Sequence, residues 1–314
     1  MMKAIKVENK TPLLVDVPEP IGDGVEVKVV SASICGSDIH MMSLGAFGDH
    51  IIGHEFSGIT EDGKAVAIET LGGCGHCYFC SEGSAFHCES GFSLMGVNED
   101  GGMAEFIKVP AERLLILPSG LDVRTACLVE PLAVAVHGVT RSRARQGERV
   151  LVIGAGPIGL AAGAVLRSRN ITYDIIARYD HQKSVAETIR GGLVPDGHYD
   201  LVIDAVGSSA SLQEAVQFVR PVGRIALLGV FWEAVELTAE FCGKEPELIS
   251  STGYRCGGSG SSFREAGEIL HQYPDLATAL VTHRFPLDGV AEAFATAANR
   301  ALGSIKVVFD IAAQ

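Results

Sequence analysis

Val150-Leu151-Val152-Ile153-Gly154-Ala155-Gly156-Pro157-Ile158-Gly159 decides the fold. Four consecutive apolar residues read as a strand buried on both faces, and the glycines after them open an Ala- and Leu-rich helix at Pro157. A Gly-x-Gly-x-x-Gly run between strand and helix has a mechanical meaning. The first glycine permits the tight turn, the second lets a pyrophosphate approach the backbone, and the third lets helix and strand pack closely. Gly154, Gly156, Pro157, Ile158 and Gly159 are therefore the expected contacts of a dinucleotide, its phosphates at the helix N-terminus.

Downstream, Tyr173 to Ala177 gives a second strand, and strand and helix recur through Asp200 to Ala205 and Gly223 to Gly229. That alternation predicts an α/β fold with a doubly wound parallel sheet of the Rossmann kind. Roughly twenty residues past the glycines, an NAD site places an acid on the ribose hydroxyls. Here Arg178 stands at that point, with His181 and Lys183 close behind, and a guanidinium pairs well with a phosphate dianion. Arg178 and Lys183 thus favour a 2′-phosphate and NADP over NAD, while a shifted register would let Asp180 serve as the acid.

Upstream the pattern is different. Glu26 to Val30 and Lys64 to Ile68 alternate or run apolar between Gly and Pro punctuation, so the first third reads as β-rich. The tail reads as strand around His283 to Phe285, helix over Leu287 to Ala297 and strand over Ile305 to Phe309, and could complete either domain. The expected domains are 1–131, 132–254 carrying the dinucleotide loop, and a return to the first domain over 255–314.

Composition bounds the function. The 314 residues are 47% apolar and 20% charged with 37 glycines, the profile of a turn-rich globular enzyme with ample core. A net charge of −13 argues against nucleic acid, which is held by excess Lys and Arg. The first residues lack the apolar stretch of a signal peptide, and Leu151 to Leu166, broken by five residues of Gly or Pro, is too short to span a membrane, for which about 20 residues are needed. The expectation is a cytoplasmic protein without a membrane partner.

In such a reducing compartment the eight cysteines are not expected to form disulfides, and five of them fall where thiolates bind metal, with Cys127, Cys242 and Cys256 left as core or near-surface thiols. Cys74, Cys77, Cys80 and Cys88 form Cys-x2-Cys-x2-Cys-x7-Cys, with Gly73, Gly75 and Gly83 giving the chain freedom to wrap four thiolates around one ion. Four protein ligands leave no open position, so this zinc stabilises a loop, and His76 and His87 stand by. An open, catalytic zinc needs about three ligands. Its candidates are Cys35 in Cys35-Gly36-Ser37-Asp38-Ile39-His40, His54 and Glu55 in Gly53-His54-Glu55, and Glu130 in Glu130-Pro131-Leu132.

With these motifs in this order, the chain resembles the zinc-containing medium-chain alcohol dehydrogenase superfamily, and within it the polyol branch that includes sorbitol and threonine dehydrogenases. The resemblance runs from Met2 to about Phe309. It implies a GroES-like catalytic domain beside the Rossmann domain, and one catalytic and one structural zinc. By the resemblance Cys35, His54 and Glu55 hold the catalytic ion, Glu130 binds it or holds its water, and Ser37 and His40 carry the alcohol proton out. It further implies cofactor contacts at Ala205, Val206, Gly207, Leu228, Gly229 and Val230, contacts of Arg255 and Lys306 with cofactor or substrate, and a homodimer or homotetramer. The implied reaction passes a hydride between a secondary alcohol or polyol and NAD(P). The alternatives are a threonine or amino-cyclitol dehydrogenase, or a catalytically silent NADP-binding redox sensor, which would need no proton path. Two departures mark the metal region: Asp49-His50-Ile51-Ile52 stands where the family carries proline, and Glu61-Asp62-Gly63-Lys64-Ala65-Val66 is a compressed loop.

Overall fold

The structure, a computed structural model, describes residues 1–257 and 261–311. The chain divides into two compact units, one of Met1–Glu130 with Arg255–Gln314 and one of Pro131–Tyr254.

In the first unit, β1 (Met2–Glu8) and β2 (Thr11–Val17) form a hairpin through the left-handed Asn9 and Lys10. β3 (Val25–Ser33) leads through Cys35 into α1 (Gly36–Leu44), and β4 (Glu55–Thr60) and β5 (Ala65–Ile68) follow. β6 (Leu71–Gly72) and β7 (Ser93–Leu94) pair across the cysteine loop that holds α2 (Tyr78–Ser81); β8 (Phe106–Val109) and β9 (Leu114–Ile116) complete the first passage.

The second unit begins within α3 (Val129–Ser142) and continues as β10 (Val150–Ile153), α4 (Pro157–Ser168), β11 (Tyr173–Ile176), α5 (Asp180–Thr188), β12 (Tyr199–Asp204), α6 (Ser209–Phe218), β13 (Val219–Leu227), α7 (Ala239–Lys244) and β14 (Glu247–Ser250). Its sheet is parallel throughout, in the order β11-β10-β12-β13-β14. The apolar run forecast for β10 is buried at all four positions, and Leu151, Ile153, Val202 and Ile225 centre the core. This is the expected Rossmann-type sheet in a five-strand form. Beyond β11 the chain makes a single parallel bridge, Asp174 with Gly192, where a further strand would lie. Only ten residues, 189–198, separate α5 from β12, and a parallel crossover takes roughly a dozen or more.

The return segment forms α8 (Ser262–Gln272), α9 (Pro274–Leu280), β15 (Val281–Phe285), α10 (Val290–Ala298) and β16 (Lys306–Asp310). Its strands join the first unit's sheet, which runs β15-β16-β3-β4-β5-β9 with β8 also on β3. Ser33 therefore lies between Glu55 on β4 and Val308 on β16, and that register builds the metal region. Ile5, Val29, Ile52, Phe56, Ile68, Met103, Phe294 and Phe309 pack beneath it as one core. Among the described residues no helix is long and apolar enough to cross a membrane.

Candidate active site

The metal region starts from two turns. Cys35 is the N-cap of α1, in extended backbone, and Asp38 reaches back so that its Oδ2 accepts the Cys35 N–H at 2.9 Å. Gly53 has φ +98°, and a Cβ there would lie 2.5 Å from Met103 Cγ, so only glycine lets the chain enter β4 with His54 and Glu55 side by side. The result is a group in which donor atoms of Cys35, His54 and Glu55 all lie within 4.8 Å of one another.

Its electrostatics favour a cation. His54 Nδ1 faces Asp38 Oδ1 at 3.3 Å, off the hydrogen-bond line, and neither atom has another partner among the described residues. With Nδ1 turned to Asp38, Nε2 is the nitrogen offered to a metal, and it lies 3.4 Å from Ser37 Oγ. Burial works against protonation of His54, yet the charges of Asp38 and Cys35 outweigh it and hold the imidazole well above its usual 6.5. A thiol, an imidazole and carboxylates that together attract a proton this strongly fit a divalent ion such as zinc. Glu130, buried in the first turn of α3, lies outside the three-donor group; burial first, and then the Glu55 charge, push its carboxyl up to about 8, against the pull of His54.

Two residues expected to touch cofactor or substrate, Lys306 and Arg255, make contacts within the first unit. Lys306 is buried, and its Nζ donates to Glu55 Oε1 at 2.7 Å, Oε2 at 2.6 Å and Ile34 O at 3.3 Å. Burial lowers its affinity for a proton, but Glu55 and Cys35 more than restore it, so its charge is spent inside the first unit. Arg255 donates to the carbonyl of Glu82, and the next residue's N–H bonds Gly83 O, which fixes Arg255 to the cysteine loop.

That loop gathers Cys74, Cys77, Cys80 and Cys88 with all four sulfurs within 4.8 Å. A Cβ on Gly73 would sit 2.7 Å from Cys80 Sγ, so the thiolate ring closes directly over the backbone. The N–H groups of His76 and Cys77 draw the Cys74 thiol down to about 6, which suits a thiolate ligand. His76 and His87 lie outside the group.

In the second unit the loops after β10, β12 and β13 meet. Gly154 has φ +94°, and a Cβ on Gly159 would lie 1.8 Å from Gly154 O. Cβ atoms on Gly207 and Gly229 would each strike the other's loop, at 2.6 and 2.3 Å. These glycines let the three loops pack backbone against backbone into one cradle, and Pro157 starts α4 behind it without a side-chain cap. Val206 and Val230 are exposed beside the cradle, whereas Leu228 turns its side chain onto Gly138 of α3 and offers only backbone. Arg178 follows β11 with no acidic partner among the described residues, while Lys183 pairs with Asp180 at 2.9 Å. Ala205 precedes Val206 in the β12 loop, with its N–H on Ile153 O.

Sequence reasoning missed Asp38, Ser33 and Asp204. Ser33 Oγ donates to Glu55 Oε2. Asp204, buried at the end of β12, accepts the N–H groups of Val206 and Gly207 and the Ser211 hydroxyl, and so sets the β12 loop. The signal for Asp38 was its capping-box spacing from Cys35; Ser33 carried none.

Comparison with known proteins agrees with this geometry. Residues 22–119 match the alcohol dehydrogenase GroES-like domain and residues 123–311 match the glucose dehydrogenase C-terminus. L-threonine 3-dehydrogenase of Streptomyces coelicolor is 30% identical, over 98% of this chain and 99% of its own. L-galactonate-5-dehydrogenase of Escherichia coli is 29% identical over 89% of each chain. An Escherichia coli CFT073 alcohol dehydrogenase solved with NADH superposes with a TM-score of 0.85 at 29% identity, covering 98% of this chain and 99% of that one. The chain belongs to the zinc-dependent medium-chain alcohol dehydrogenase superfamily.

Proposed function

We propose that this protein oxidises the secondary hydroxyl of a polyol or similarly hydroxylated small molecule, with NADP as the preferred acceptor. The observation that carries the reading is the convergence of Cys35, His54 and Glu55 in a chain that also builds the glycine cradle of a dinucleotide. Zinc there would supply Lewis acidity to the substrate hydroxyl and the nicotinamide would take the hydride. Cys35, His54 and Glu55 would hold the ion and Glu130 would complete or border the set, while Lys306 and Ser33 keep the Glu55 carboxylate oriented. A carboxylate at Glu130, harder than a thiolate, suits a hydroxylated substrate.

Ser37 and His40 are three residues apart on α1 and so share a face of it. Ser37 Oγ, beside His54, takes up the proton the substrate releases, and the exposed His40 passes it to solvent. Arg178, at the end of β11 and without an acidic partner, supports the NADP preference. A second zinc on Cys74, Cys77, Cys80 and Cys88, a cytoplasmic location and a homodimer or homotetramer complete the proposal.

The test is dinucleotide reduction by the purified protein across polyols, sugar acids, secondary alcohols and L-threonine, with NAD and NADP in parallel and bound zinc counted. Turnover of a polyol with NADP and two zincs per chain is expected. Turnover of threonine alone would replace the substrate class, and a zinc-loaded protein inert toward every class would turn the reading to the redox sensor.

A further inference from the structure

The turn that ends β11 is built more elaborately than a single phosphate-binding arginine requires. Gln182, buried in α5, accepts the N–H groups of both Arg178 and Tyr179 at 3.3 Å and so fixes their backbone. The Arg178 guanidinium carbon stands 5.5 Å from the centroid of the Tyr179 ring, within cation–π range. The His181 imidazole is stacked with the same ring, centroids 5.5 Å apart and planes 18° from parallel. His181 Nε2 is buried without a hydrogen-bond partner among the described residues, a polar atom that a ligand oxygen can satisfy. Lys183, the other cation of the turn, pairs with Asp180 at 2.9 Å on the exposed side of α5.

An exposed arginine otherwise samples many rotamers, and that freedom is lost on binding an anion. A ring that holds the guanidinium beforehand removes part of the loss. We propose that Tyr179 is a positioning residue for dinucleotide choice: its ring, steadied by His181, is the shelf on which Arg178 is held to receive the 2′-phosphate. This rests on the NADP reading and adds to it the residue that makes Arg178 selective. The ring is what the role needs; the hydroxyl is not.

The experiment titrates adenosine 2′,5′-bisphosphate and 5′-AMP by calorimetry into the zinc-loaded full chain and its Tyr179→Phe, Tyr179→Leu, Tyr179→Gln and Arg178→Ala variants. The readout is the affinity ratio of the two nucleotides, which a loss of structure alone would not move because 5′-AMP reports the shared adenosine and 5′-phosphate contacts. Expected are a preference for the bisphosphate in the parent, its retention in Tyr179→Phe, and a fall of about two- to fivefold in the Leu and Gln variants, the size of an exposed cation–π contact. An unchanged ratio in Tyr179→Leu and Tyr179→Gln, with a collapsed ratio in Arg178→Ala, would overturn the shelf and leave the NADP reading standing. An unchanged ratio in Arg178→Ala would overturn the NADP reading itself. Having two ring-removing variants keeps the test decisive if either fails to fold.

Discussion

Lys306 and Glu55 are separated by 251 positions in the chain and joined at 2.6 Å in the fold, with side chains 2% and 1% exposed. A buried pair of this kind does little for net stability, but removing one member strands the other, at a cost of about 3–5 kcal/mol. Lys306→Met is therefore expected to lower the denaturant-derived stability by that amount while leaving NADP affinity as it was. A variant with normal stability and weakened NADP binding would point instead to a cofactor role for Lys306. Glu69 offers a second test. It is buried, accepts the Gly257 N–H and the Ser261 hydroxyl, and burial raises its carboxyl from 4.5 to about 7. Between those values the unfolded chain releases the proton and the folded one keeps it, so stability falls as pH rises through the window, by roughly 3 kcal/mol in total. Glu69→Gln carries no charge to bury. It should match the parent near pH 4 and be more stable at pH 8; equal denaturation midpoints at both pH values would show that Glu69 is ionised without cost. Of these residues the sequence disclosed Cys35, His54 and Glu55, because glycines flank them in recognisable motifs. The partner of Glu55 was hidden, since only the pairing of β3 with both β4 and β16 brings Lys306 near it.

At the scale of elements, the strand-turn-helix of β10 and α4 was readable because each part carries its own signal: an unbroken apolar run, glycines at fixed offsets, and proline at the first helical position. The five-strand sheet was not. Ten residues between α5 and β12 leave no visible mark unless strands are counted, and Gly192 supplies one bridge, to Asp174, in place of a strand. α8 was readable in principle, since Phe263, Ala266, Ile269 and Leu270 fall on one buried helical face. Gly159→Ala tests the turn. Its Cβ would lie 1.8 Å from Gly154 O, a backbone atom that cannot swing aside, so the loop must shift at a cost of about 1–3 kcal/mol. The expected result is about a tenfold loss of dinucleotide affinity, followed through Trp232, the single tryptophan. Bound zinc should be unaltered, because every candidate ligand lies in the first unit. Undiminished affinity would mean that the ligand does not use this turn.

For the molecule as a whole, the two donor groups belong to one unit, and the proposal gives them different tasks. The Cys35 group sits at sheet and helix ends already held by the core and by the Lys306 pair, so its fold does not depend on an ion. The cysteine loop has little else: α2 is four residues long, β6 and β7 are two each, and Tyr78 is 68% exposed. Arg255 and Cys256 bond its backbone at Glu82 and Gly83, so disorder in the loop would reach the start of the return segment. A structural zinc contributes folding energy outright, whereas an open site contributes chemistry. Cys35→Ser should therefore drop the zinc count from two to one, abolish turnover and leave both the thermal midpoint and dinucleotide binding nearly intact. Cys74→Ser should also drop the count to one, but lower the midpoint by several degrees and open the chain to proteolysis near Cys74 to Cys88. Chelation should reproduce the first phenotype before the second, because four thiolates release zinc more slowly than an open three-donor site. If Cys35→Ser were the less stable of the two, or Cys74→Ser kept its midpoint while losing turnover, the assignment of the two sites would have to be exchanged.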